Sequence, residues 1–186
     1  MNKKLITAAS IALAACVAIG GTIAYLTAKT DTITNTFTVG KVDINLTETE
    51  RTYKMIPGTT LDKDPTVTVE AGSEDSWVFV KVDESENLDK YIDYTVDEIW
   101  EPLENVAGVY YAKVEASEED TVLDVLTNKQ VSVKDDVTSD DMTEAETNAP
   151  KLTFTAYAIQ RDGLTDAGND GSVVDDAWAI VSSAQN

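Results

Sequence analysis

Apolar and polar residues alternate with a period of two along most of the chain, the pattern of short strands with one buried face. Val42, Ile44 and Leu46 share one parity, while Ile33, Phe37 and Val39 upstream share the other. The flip at Gly40-Lys41 predicts a bulge or bend, and so two short strands rather than one long one. Segments 66–70 and 77–82 flank the polar run Gly72-Ser73-Glu74-Asp75 and read as a hairpin. In the second of them Trp77, Phe79 and Lys81 point one way, and Val78, Val80 and Val82 the other. Segment 92–100 reads as a strand that stops at Pro102, and 109–115 and 130–134 as further strands. Segment 121–126 fits a strand or a short helix equally. The strongest alternation of the second half is 151–160, with Leu152, Phe154, Ala156 and Ala158 on one face and Thr153, Thr155, Tyr157 and Ile159 on the other.

Helical spacing is confined to short stretches. Residues 87–91 hold one turn. Segment 138–147 is polar, with Thr138 and Asp141 at capping-box spacing, and reads as a short solvated helix or a loop. Near the end, Val173, Val174, Ala177, Trp178 and Val181 recur at helical spacing, and Asp175 with Asp176 suits the first turn. Eight or nine short strands joined by acidic loops predict an all-β fold: a jelly-roll-like antiparallel β-sandwich with one or two short helices, preceded by an N-terminal signal helix.

Composition narrows the chemistry. The 186 residues, 42% of them hydrophobic, suffice for one domain with a core, and 34 Asp plus Glu against 14 Lys plus Arg give a formal charge of -20. Such a surface repels a phosphate backbone, so nucleic acid is not expected as a partner. With no histidine and only Cys16, the chain cannot assemble a Ser-His-Asp triad, a Cys-His dyad or a Cys/His zinc site. Carboxylate chemistry remains, in a glycosidase pair or a calcium site.

The N-terminus reads as an export signal. Lys3 and Lys4 precede an apolar stretch from 5 to 26, which closes on Gly20-Gly21-Thr22-Ile23-Ala24. Small residues at Thr22 and Ala24 place cleavage between Ala24 and Tyr25, leaving a secreted chain without cysteine and, with two lysines fewer, a charge of -22 in place of -20. Two rival readings stand beside cleavage. Leu13-Ala14-Ala15-Cys16 matches a lipobox, although the residues after Cys16 stay apolar where a polar tether is usual. An uncleaved stretch at about 1.5 Å per residue is also long enough to anchor the chain across a ~30 Å hydrocarbon core.

The signal end Gly20-Gly21-Thr22-Ile23-Ala24-Tyr25, followed by Thr34-Asn35-Thr36-Phe37-Thr38-Val39-Gly40, resembles the start of the TasA and camelysin family of Gram-positive bacteria. Pro57-Gly58 with Lys63-Asp64-Pro65-Thr66-Val67, the strand 76–82, and Thr155-Ala156-Tyr157-Ala158-Ile159-Gln160 with Ala177-Trp178 resemble later family elements, whereas 83–150 hardly does. The resemblance implies a SipW-type signal peptidase acting at Ala24, a jelly-roll domain, and a secreted biofilm-matrix protein that self-associates into fibres, with other matrix proteins as further partners. It also implies a mechanism. An N-terminal strand freed by processing adds to the open sheet edge of the next subunit. Residues 32–39 are rich in threonine and free of charge, so Ile33, Phe37 and Val39 are the anchors expected to be donated, unless this is an ordinary first strand of its own sheet. The metalloprotease label attached to camelysin does not carry over, because this chain has no HExxH.

The expected organisation is a signal peptide at 1–24, an N-terminal segment and donor strand at 25–40, and a β-sandwich at 41–186, exported to the matrix or cell surface and touching the membrane only through its signal. The alternative function is a cell-surface binding module tethered by lipidated Cys16 or by the uncleaved helix. No catalytic residue, metal or cofactor is expected. Asp166, Asp170 and Gly171 match positions 1, 5 and 6 of a calcium loop, but Gly168 and Ala177 stand where two further ligands belong, so a solvated turn is favoured. Glu118-Glu119, Asp135-Asp136 and Asp140-Asp141 are sequence neighbours in loops and lack the facing separation that glycoside hydrolysis needs. Trp77, Trp100, Trp178 and Tyr110-Tyr111 offer a sugar-stacking platform, yet each sits within an apolar alternation or stripe that favours the core.

Overall fold

The computed structural model describes residues 40–164 and 172–184, within the unit Val39–Asn186. Ten strands lie among them: β1 (Ile44–Thr47), β2 (Thr60–Asp62), β3 (Thr66–Val69), β4 (Ser76–Glu84), β5 (Ile92–Asp93), β6 (Glu101–Pro102), β7 (Val109–Val114), β8 (Thr121–Asp124), β9 (Gln130–Val133) and β10 (Leu152–Gln160). Three helices join them, α1 (Leu88–Tyr91), α2 (Ser139–Thr147) and α3 (Val173–Ser183), on the three stretches of helical spacing, where one or two short helices are expected. All pairings are antiparallel, in sheets ordered β1-β3-β8, β10-β4-β7-β6 and β2-β9-β5. The fold is mainly β, as expected.

Register explains how the first two sheets meet. Leu46, Val67 and Leu123 align across β1, β3 and β8, and Ala158, Val78 and Ala112 align across β10, β4 and β7. Both rows contribute to one core with Val69, Val80, Val82, Val114 and Trp100. The opposite face of the four-stranded sheet carries Trp77, Phe79, Tyr111, Tyr157 and Ile159, packed with Ala177, Trp178 and Val181 of α3. β4 is therefore apolar on both faces, and the predicted alternation of Val78, Val80 and Val82 against Trp77 and Phe79 holds. A third cluster joins β9 to α1 and α2 through Tyr91, Leu126, Val131 and Ala145.

Several expectations need correction. The predicted hairpin is an arch: β3 and β4 lie in different sheets and face each other through Val67, Val69, Val78 and Val80. Gly72, at φ +75°, turns the chain between them, Ser73 N–H returns to the Glu70 carbonyl, and Glu74 N–H donates to Lys41. Alternation states which side chains share a face, and it is silent on which backbone edge receives the hydrogen bonds. The strand expected at 92–100 shrinks to Ile92–Asp93 with an isolated bridge at Val96, because 97–100 turns back with Trp100 N–H on the Asp97 carbonyl. Pro102 does not end a strand running from 92; it closes the separate two-residue edge strand β6, opposite Tyr110, where its missing N–H costs little. Segment 121–126 resolves as strand β8, and 138–147 as helix α2 with both bonds of the capping box formed. Residues 40–43 carry no strand and pairing begins at Ile44, while the upstream strand that the expected bend would join lies outside the described residues.

Candidate functional site

The longest edge strand among the described residues is β10. Each of its nine residues pairs with β4, from Leu152 opposite Glu84 to Gln160 opposite Ser76, and no other described strand pairs with it. Its sequence, Leu-Thr-Phe-Thr-Ala-Tyr-Ala-Ile-Gln, contains neither charge nor proline, and seven of the nine side chains are half-buried. The contrast with the other edges is sharp. β2, β5, β6 and β8 are two to four residues long and carry Asp62, Asp93, Glu101 with Pro102, and Asp124. Charge, proline and shortness are the usual means of blunting an edge against strand addition. β10 has none of them, and β1, the edge of the facing sheet, packs beside it.

Both ends of β10 are fixed. Lys151 N–H donates to Ser85 Oγ at 2.8 Å where the strand begins, and Arg161 N–H donates to the Asp75 carbonyl at 2.7 Å where it ends. Arg161 then grips Asp75 Oδ2 at 2.7 Å and both oxygens of Glu115 at 2.9 and 3.0 Å, while its guanidinium lies 5.9 Å from the Trp77 ring centre. The Ala116 N–H, and after it Arg161, hold the Asp75 carboxyl below the ordinary carboxylate range. The described chain starts at this same end, since the Gly40 backbone lies against Glu74.

The anchors Ile33, Phe37 and Val39, the cleavage pair Ala24 and Tyr25, the lipobox Cys16, the signal helix and the Asp166 to Asp170 turn all lie outside the described residues. The aromatic candidates are placed as packing groups. Trp100 is 4% exposed and donates from Nε1 to the Asp124 carbonyl at 2.9 Å. Trp178 meets Tyr157 edge-on at 5.2 Å and lies 5.5 Å from Phe79, and Trp77 meets Tyr111 edge-on at 5.7 Å. Glu101 accepts the Tyr111 hydroxyl at 2.6 Å; that bond, followed by burial, pushes the phenol up to about 12. Glu118, Glu119, Asp135, Asp136 and Asp140 are exposed. Asp141 caps α2 and pairs with Lys90 at 2.7 Å. Among the described residues no group of three metal-ligating side chains converges, and no helix is long and apolar enough to cross a membrane.

Sequence reading missed a cleft of about 440 Å³ beside β2 and the start of β10. At its wall Lys63, 7% exposed, pairs with Glu48 and lies 5.0 Å from the Tyr53 ring centre and 5.3 Å from that of Phe154. Sequence spacing holds no signal for a cleft whose walls come from residues about a hundred positions apart. These observations define a mainly antiparallel β protein in which one side of a nine-residue edge strand is paired by no described strand. No family model, curated protein or solved structure matches the chain.

Proposed function

We propose that this is a secreted structural protein of a Gram-positive extracellular matrix, similar to the TasA and camelysin family, with a jelly-roll sandwich whose subunits join into fibres by strand addition. The observation that carries the reading is β10: nine paired residues, free of charge and proline, with one backbone edge unmatched by any described strand. An extended segment at about 3.3 Å per residue matches an edge of that length, and 33–39 supplies seven uncharged residues. Main-chain hydrogen bonds provide the adhesion and alternate side chains the register. Because donor and acceptor surfaces differ, the contact is head-to-tail and does not close, which gives a filament. Burying Ile33, Phe37 and Val39 contributes about 1.5 to 3 kcal/mol each before ordering costs. Export with cleavage between Ala24 and Tyr25 by a SipW-type peptidase frees the segment, self-association and other matrix proteins are the partners, and no catalysis belongs to this function.

Phe37→Asp, Thr155→Glu and a chain starting at Thr38 test it together. Thr155 lies opposite Lys81, so the new glutamate gains a cross-strand partner and the fold is kept while the edge acquires a charge. All three proteins are expected to melt like the parent by circular dichroism and to form no fibres by electron microscopy. Unfolding of the truncated chain would assign 33–39 to its own sheet, and fibres from any of the three would refute strand donation. N-terminal sequencing of the exported protein decides the alternative of a tethered binding module, which requires a lipid-modified Cys16 or an intact N-terminus.

A further inference from the structure

The lining of the cleft beside β2 carries cations and no carboxylate of its own, with Glu48 bonded behind it to Lys63 and the Tyr53 hydroxyl. Fourteen residues line it, from 51–55, 61–63, 88–92, 131 and 149–153, and none of them is Asp or Glu, although the chain has 34 acidic residues. Three are cations: Arg51, Lys63 and Lys151. Lys63 is neutralised by Glu48, but Arg51 and Lys151 are exposed and form no ion pair with any described residue. The other described cations, except Lys54, do form ion pairs: Lys41, Lys81, Lys90, Lys113, Lys129, Lys134 and Arg161 each hold a carboxylate. In a chain where acids outnumber bases more than twofold, two unneutralised cations at one concavity mark a place where negative charge is to be supplied from outside. The remaining wall is mainly apolar, with Met55, Leu61, Ile92 and Leu152, beside the hydroxyls of Thr52, Tyr53 and Thr153.

We infer that this cleft binds a small apolar molecule carrying a single carboxylate, its apolar body against Leu61, Ile92 and Leu152 and its charge between Arg51 and Lys151. The volume lies in the range of small-ligand sites, about 300 to 1,000 Å³. A guanidinium recognises a carboxylate with two parallel hydrogen bonds, and an ammonium adds a point charge. The surrounding acidity sets the ligand's class. A net charge of -20 disfavours polyanions, so a ligand must bring more apolar surface than charge. The inference is independent of fibre formation.

Decanoate is the probe, titrated into the full exported protein labelled with nitrogen-15. Amide shifts are expected to concentrate at 51–55 and 149–153 and to saturate. Replacing both exposed cations, as Arg51→Gln with Lys151→Gln, should weaken the dissociation constant at least about tenfold, whereas Lys54→Gln, outside the cleft lining, leaves it unchanged. Decanol, with the same chain and no charge, should bind the parent at least about tenfold more weakly, and added salt should weaken decanoate alone. The decanol and salt arms use the unaltered protein and so decide even if the double variant misfolds. Equal binding of decanol and decanoate, or shifts spread over the surface, would overturn the proposal. Shifts at these residues that follow protein concentration without decanoate would assign the cleft to a second copy of the chain, and would overturn it as well.

Discussion

Lys63 is the residue whose surroundings depart furthest from its type. A lysine 7% exposed is held by a carboxylate and two aromatic faces, and its stem fills space between β2 and β10. Removing one member of a buried pair leaves the other charge uncompensated, so Lys63→Ala should cost about 3 kcal/mol in urea unfolding. The double change Lys63→Met with Glu48→Gln should recover most of that, and a double variant as unstable as the single would sink this account. Asp141 works at the surface. Lys90, then Thr138 through its side chain and backbone, hold its carboxyl well below the ordinary value of 3.8. A depressed folded pKa means the stabilisation is fully present above 3.8 and is lost as pH falls below it. Asp141→Asn should therefore unfold more readily than the parent near neutral pH, with the difference closing in acid; a gap that is constant with pH would show that the cap does not depend on charge.

At the scale of elements, helix α3 is tied to the four-stranded sheet by few anchors. Ser172 Oγ accepts from the Asp175 N–H at 3.3 Å and starts the helix, while Ala177, Trp178 and Val181 seat it on Phe79 and Tyr157. Trp178→Ala should cost about 3 kcal/mol and expose the outer face of β4, read as raised binding of a hydrophobic dye with the two-sheet core still folded. A variant as stable as the parent would mean that the helix contributes nothing to the domain. Turns are equally specific. Gly108 sits at φ +73°, and a Cβ there would stand 2.7 Å from the Val82 carbonyl oxygen, so only glycine lets β7 start beside β4.

Considered whole, the molecule combines the β10 edge with a strongly anionic composition. In the proposed fibre, repulsion between exported subunits at -22 each, two lysines fewer than the full chain at -20, opposes the approach that strand addition needs, and the Debye length shortens from about 30 Å at 0.01 M salt to about 10 Å at 0.1 M. Fibre growth by the exported protein should accordingly accelerate as sodium chloride is raised through that range, and again as falling pH protonates carboxylates. Light scattering that is indifferent to salt would exclude charge as the gate.

The sequence alone determined the mainly β class, the faces of β4 and β10, the position of α3 and the capping box of α2, because each follows from periodicity or from residues within four positions of one another. It also determined the absence of histidine chemistry, which is a matter of composition. Tertiary structure decided the rest. That 66–69 and 76–84 form an arch, that Pro102 belongs to an edge strand, that β10 has no described partner on one side, and that Arg51 and Lys151 share one cleft all depend on which backbone edges meet. An alternating strand states the direction of its side chains and leaves its hydrogen-bonding edges unspecified. Those edges are assigned only when the competing pairings are weighed within one packed core.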